Sequence, residues 1–184
     1  MSYEWLNPPK TWHVDDNTKI ITVQTDEKTD FWRKTHYGFI RDNGHFYSKT
    51  MTGNFTCEVL VRGEYRDLYD QAGIMVRLDE ENWLKCGIEF VDSKQYASVV
   101  VTRDGFSDWS IIPMKDNLTA LWLRVKRSKE ALHIEYDDQG DKNYKMMRLT
   151  YLPEREKTQV GIMCASPDGN GFKAYFEHLN IEKN

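Results

Sequence analysis

The sequence predicts an all-β fold, a sandwich or a barrel. Three observations carry that prediction: short runs rich in β-branched and aromatic residues, turn chemistry between them, and no dozen-residue stretch with the 3.6-residue apolar period of a helix. In order, the runs are Ile20–Val23, Phe55–Arg62, Ala72–Arg77, Trp83–Phe90, Tyr96–Thr102 and Trp109–Ile112. Leu121–Arg127, Ala131–Tyr136, Met146–Leu149, Gln159–Ala165 and Lys173–Leu179 follow. Asp42-Asn43-Gly44, Asp138-Gln139-Gly140 and the Ser166–Gly171 segment supply residues that bend the chain between runs. Helix is confined to a turn near Asp67–Tyr69 or Pro153–Glu156. Many short strands at near-regular spacing leave sandwich and barrel as the two architectures. Without a linker, repeat or low-complexity tract, residues 1–184 read as one domain, large enough to bury a core without staples. Trp5-Leu6-Asn7-Pro8-Pro9 is expected to pack along it, since its Trp and Leu would otherwise be exposed.

Composition removes several classes of function. The net charge is −4, and the densest basic stretch, Lys126-Arg127-Ser128-Lys129, falls at an expected hairpin turn. It reads as a solvated turn, and no nucleic-acid partner is expected. Cys57, Cys86 and Cys164 each sit inside an apolar run and none forms a C-x-x-C pair, so they read as small buried hydrophobes. His36 and His45 lack a third ligand, and Asp137–Asp141 lacks the spacing of a calcium loop. No metal or other cofactor is expected. Nucleophile-elbow, phosphate-loop and dinucleotide motifs are absent from the sequence. Met1-Ser2-Tyr3-Glu4-Trp5 does not open a signal sequence, and no run approaches the roughly 20 apolar residues that cross a bilayer. The expectation is a cytoplasmic protein without a membrane partner. Asn54-Phe55-Thr56 and Asn117-Leu118-Thr119 then read as chance glycosylation motifs.

A set of ordered motifs spans nearly the whole chain: Thr29-Asp30-Phe31-Trp32-Arg33, Tyr37-Gly38-Phe39, Gly44-His45-Phe46, Tyr69-Asp70-Gln71-Ala72-Gly73, the Trp83–Phe90 run, Val99-Val100-Val101-Thr102, Ser107-Asp108-Trp109-Ser110, Arg148-Leu149 and Gly161-Ile162-Met163-Cys164-Ala165-Ser166-Pro167. In these the chain resembles the regulation of enolase protein family. The resemblance implies a concanavalin A-like lectin/glucanase fold, a two-sheet antiparallel jelly-roll sandwich. It implies no particular reaction. The family name hints at a protein partner, a metabolic enzyme of glycolysis.

The residues of two central runs build a candidate site. A strand sends alternate side chains to opposite faces. Ala72, Ile74, Val76, Leu84, Cys86, Ile88 and Phe90 therefore face a core, and Gln71, Gly73, Met75, Arg77, Trp83, Lys85, Gly87 and Glu89 face outward. The connection Leu78–Asn82 suits a five-residue hairpin loop. Its symmetric register pairs Gln71 with Glu89, Gly73 with Gly87, Met75 with Lys85 and Arg77 with Trp83. Opposed glycines mark close approach of a ligand or of another backbone, and they predict a flat floor bordered by Gln71, Lys85 and Glu89. Lys85 and Glu89, four residues apart, are separated by roughly 13 Å, room for a sugar ring or another small polar group. Ser98 and Thr102 extend this face from the next run.

Tyr69, Asp70, Asp108, Trp109 and the Trp32, Arg33, His36, Tyr37 segment are expected to wall the floor. Aromatic faces pack against sugar C–H surfaces, while amides, carboxylates and guanidinium groups fix hydroxyls. No catalytic residue is secure. A glycoside hydrolase would need two carboxyl groups about 5–5.5 Å or 6.5–9.5 Å apart. Glu135 and Asp137 lie two apart but end a strand at a turn and read as solvated, which leaves Glu89 with Asp70 or Asp108, brought together from different strands. The expected partner is a carbohydrate or small polar ligand. A protein partner docking on an apolar patch near Trp5, Trp12 or Trp122 is the alternative.

Overall fold

The computed structural model describes residues 2–116 and 118–184. Met1 and Asn117, and with them the start of the N-terminal pentapeptide and the second glycosylation motif, lie outside the described residues. In chain order the strands are β1 (Glu4–Leu6), β2 (Thr11–Val14), β3 (Ile21–Gln24), β4 (Phe31–Arg33), β5 (Ile40–Asp42), β6 (His45–Met51), β7 (Phe55–Gly63) and β8 (Gln71–Arg77). They continue as β9 (Trp83–Val91), β10 (Lys94–Arg103), β11 (Phe106–Pro113), β12 (Leu121–Ser128), β13 (Ala131–Asp137), β14 (Lys145–Tyr151), β15 (Thr158–Ala165) and β16 (Lys173–Lys183). One seven-stranded sheet runs β1-β6-β15-β8-β9-β10-β11, the other β14-β13-β12-β7-β16-β3-β2, and β4 with β5 makes a separate hairpin. Every paired strand is antiparallel. Of the two architectures left open by strand spacing, the chain adopts the sandwich. No helix among the described residues is long and apolar enough to cross a membrane.

Period-2 alternation explains the core. Ala72, Ile74 and Val76 of β8, Leu84, Cys86 and Ile88 of β9, and Ala97, Val99 and Val101 of β10 meet Cys57, Val59 and Val61 of β7 and Leu121, Leu123 and Val125 of β12. Each Val, Leu or Ile side chain removed from water in this way contributes about 1.5–3 kcal/mol. The three cysteines are buried and free, as expected for small hydrophobes. Phe90, assigned to the same face, is only partly buried because it lies near the end of β9.

The opposite face of the β8–β9 hairpin departs from expectation. It is not a solvated polar surface over its whole length. Met75 and Trp83 are fully buried there, in a second apolar cluster with Phe31, Trp32, Phe46, Val100 and Met163. The β4–β5 hairpin lies over this half of the sheet as a third layer. Charged residues of the sheet hold it down: Arg77 reaches Asp42 through both guanidinium nitrogens at 3.2 and 3.3 Å, and Lys85 Nζ lies 3.0 Å from Asp30 Oδ1. Asn7 Nδ2 donates to the Asp42 and Gly44 carbonyls, both at 2.9 Å.

Candidate functional site

The predicted register holds in full: Gln71 pairs Glu89, Gly73 pairs Gly87, Met75 pairs Lys85 and Arg77 pairs Trp83. Where the β4–β5 cover ends, the sheet opens into a cavity of about 210 Å³ lined by Gln71, Lys85, Glu89, Val100 and Trp109 from the sheet and by Asp30, Trp32, Tyr37, Phe39, Tyr69, Pro167 and Asp168 from surrounding segments. Strand geometry places the first group. Gln71 on β8, Lys85 and Glu89 on β9, Val100 on β10 and Trp109 on β11 all project to the outer face. The walls come from loops. Residues 34–39 turn the chain from β4 to β5 with Lys34, His36 and Gly38 at φ of 57°, 63° and 73°, and that turn carries Tyr37 and Phe39 to the rim.

Glu89 is the most constrained group. Its Oε2 accepts from Ser98 Oγ at 2.6 Å and from Trp109 Nε1 at 2.8 Å. Burial pushes its carboxyl above the usual range, opposed by Lys85, Ser98 and Trp109. Lys85 does not pair with Glu89; its partner is Asp30, with side-chain exposures of 6% and 13%. Gln71 Nε2 donates to the Tyr69 carbonyl at 3.1 Å, which orients the amide.

Five aromatic rings stand around these groups. Tyr37 stacks on Phe39 at 5.3 Å and meets Trp32 edge-on at 5.6 Å. Tyr69 meets Trp109 edge-on at 6.1 Å. The Tyr37 and Tyr69 hydroxyls lie 3.3 Å apart and link the two walls. That hydrogen bond, followed by burial, pushes the Tyr69 hydroxyl up to about 12.

Six of the expected site residues are placed elsewhere. Gly73 and Gly87 do not form an open floor: a Cβ on Gly73 would lie 2.5 Å from Gly87 Cα and closer still to the Cys86 carbonyl oxygen. Backbone proximity, the second of the two meanings of such a pair, is the one realised, although Gly87 does border a narrow recess beside the cavity. Asp70 is fully buried, and its carboxylate accepts from Ser166 Oγ and from the Arg66 and Asp67 amides at 2.6, 3.0 and 2.9 Å. Asp108 is held by Arg148 at 2.9 Å on the opposite side of β11 from Trp109. Neither acid joins Glu89 in the cavity, so the carboxyl pairs considered from sequence are not assembled. Arg33 is turned to Asp42 and Glu81, and exposed His36 rests against the outside of Tyr37.

Asp30, Phe39, Val100, Pro167 and Asp168 line the cavity without having been singled out. Asp30 and Phe39 sit inside the ordered motifs beside Trp32 and Tyr37, and Val100 shares the outward phase of Ser98. Pro167 and Asp168 lie in the Ser166–Gly171 turn segment, but nothing in that pattern says where the turn goes; they reach the site because the β15–β16 loop folds over it.

Fold and cavity together define a β-sandwich of the lectin/glucanase type with an aromatic-walled concavity on the outer face of one sheet. The chain belongs to the family described as protein of unknown function (DUF1349), whose model matches residues 5–184. It is 43% identical to Regulation of enolase protein 1 of Saccharomyces cerevisiae over 177 residues, 96% of this chain and 87% of that one. A crystal structure of a functionally unknown Saccharomyces cerevisiae protein superposes with a TM-score of 0.92 at 41% identity, covering 100% of this chain and 97% of that one. Two more distant likenesses extend the fold alone. The GH43 protein BlXynB of Bacillus licheniformis gives a TM-score of 0.76 at 16% identity, over 100% of this chain and 37% of that one. The carbohydrate binding module CBM66 of Bacillus subtilis gives 0.59 at 14%, over 97% and 95%.

Proposed function

We propose that the protein binds a carbohydrate, or a carbohydrate-like metabolite, as a single ring in this cavity. The observation that carries the reading is the convergence of Gln71, Lys85 and Glu89 inside a ring of Trp32, Tyr37, Phe39, Tyr69 and Trp109. A sugar presents an apolar C–H face and a rim of hydroxyls that both donate and accept, and this lining offers the complement of each. At about 210 Å³ the cavity is smaller than the roughly 300–1,000 Å³ of drug-sized sites, which favours one ring or a chain end over an extended oligomer. The likeness of the fold to a carbohydrate binding module and to glycoside hydrolase family 43 chains supports the same reading.

Titration calorimetry against a monosaccharide panel tests it. At least one sugar should bind, and Trp109→Ala and Lys85→Met should each weaken that binding tenfold or more. Unchanged affinity in both variants would refute the site. A second reading, docking on a metabolic enzyme, is favoured by the name of the 43% identical relative. Sedimentation velocity of the purified protein mixed with enolase tests it, and two independent boundaries would count against it. Of the tryptophans considered for such a patch, Trp5 and Trp12 pack edge-on with each other and Trp122 stacks on His178.

A further inference from the structure

We propose that the cavity selects neutral or amino sugars and excludes phosphorylated and uronic ones. The inference rests on the single-ring reading above and narrows its ligand class. Three carboxyl groups, Asp30, Glu89 and Asp168, line the cavity against one ammonium, Lys85. That ammonium is already matched by Asp30. Two further cations come near the rim without lining the cavity: Lys28 Nζ donates to the Asp168 backbone carbonyl, and the Arg41 guanidinium sits 4.8 Å from the Phe39 ring centre. An entering phosphate or carboxylate therefore meets buried Glu89 and, at the exposed rim, Asp168, with no free cation among the lining residues, and like-charge juxtaposition is disfavoured.

Hydrogen-bonding capacity points the same way. Glu89 Oε2 is engaged by Ser98 and Trp109, and Gln71 Nε2 by the Tyr69 carbonyl. Among the described residues, Glu89 Oε1, Gln71 Oε1, Asp30 Oδ2 and the Asp168 carboxylate accept nothing, although Glu89 and Gln71 are each only 6% exposed. On the donor side, Lys85 keeps two N–H groups beyond the one directed at Asp30, Gln71 keeps its second amide N–H, and the Tyr37–Tyr69 hydroxyl pair keeps one hydrogen; these four face five acceptor oxygens, each with two lone pairs. Free acceptors thus outnumber free donors. The ligand must supply donors: hydroxyls do so while still accepting from Lys85, an ammonium does so with added charge attraction, and phosphates and carboxylates do not.

The test uses the full chain at low ionic strength, where charge effects are largest. Glucose, galactose and mannose are each titrated beside the 2-amino, 6-carboxylate and 6-phosphate derivatives of the same sugar. The neutral or 2-amino member should bind at least tenfold tighter than either anionic member. Asp168→Asn, at an exposed position, should leave the fold intact and narrow that gap severalfold. Anionic members that bind as tightly as the neutral ones, or a gap unmoved by Asp168→Asn, would overturn the selectivity while leaving the site standing. Silence from every sugar, with the chain folded, would instead overturn the carbohydrate reading beneath it.

Discussion

Gly73→Ala separates the two roles that a pair of opposed glycines can have. The added methyl would sit 2.5 Å from Gly87 Cα and closer still to the Cys86 carbonyl oxygen, against 3.4 Å for ordinary contact. The obstacle is backbone rather than the end of a flexible side chain. Gly73 also lies between β15 and β9 in the middle of a seven-stranded sheet, where neither neighbour can withdraw alone. The cost should therefore reach the top of the overpacking range, about 3 kcal/mol. At about 2–4 °C per kcal/mol for a chain of this size, Tm should fall by roughly 6–12 °C. Gly140→Ala is the control: Gly140 has a φ of 76°, but nothing lies within 4 Å of the point where an added methyl would sit, so the variant should lose only the roughly 1–2 kcal/mol of left-handed strain. Urea unfolding followed by far- and near-ultraviolet circular dichroism measures both. If Gly73→Ala costs no more than Gly140→Ala yet abolishes ligand binding, the glycines serve a ligand and the backbone-contact account is wrong.

Breaking the buried Lys85–Asp30 pair from one side should be worse than removing it: Asp30→Asn or Lys85→Met alone should cost about 3–5 kcal/mol, and the double variant should recover much of that in a urea-unfolding mutant cycle. Since burial raises the Glu89 carboxyl above its usual 4.5, its protonated form favours the folded state, a contribution complete below pH 4.5 and lost as pH rises through the higher folded value. Glu89→Gln should accordingly match wild type in Tm at acid pH and exceed it at neutral pH, and a difference that shrinks with rising pH would contradict this. Removing the Tyr37 hydroxyl with Tyr37→Phe should bring Tyr69 down from about 12 toward the usual 10, read by ultraviolet titration of tyrosinate; an unmoved value would show that the hydroxyl pair is not its main cause.

The sequence by itself determined β3 and β7 to β16, eleven of the sixteen strands among the described residues, together with the β8–β9 register and the phase of its side chains, because alternation and a five-residue loop are local and leave one consistent pairing; β1, β2, β4, β5 and β6 fall outside the runs that it marks. Gln71, Lys85, Glu89 and Trp109 could be assigned to one outer surface from that phase alone. Only the tertiary structure decided which part of the surface stays open. The short β4 and β5 strands carry no alternating pattern, yet their hairpin buries Met75 and Trp83 and draws Arg77 and Lys85 into ion pairs with Asp42 and Asp30. The fates of Asp70 and Asp108 likewise turned on Ser166 and Arg148, remote in sequence. Periodicity fixes the side of the sheet to which a residue points; which distant segment covers it is set by packing between parts of the chain that no local pattern links.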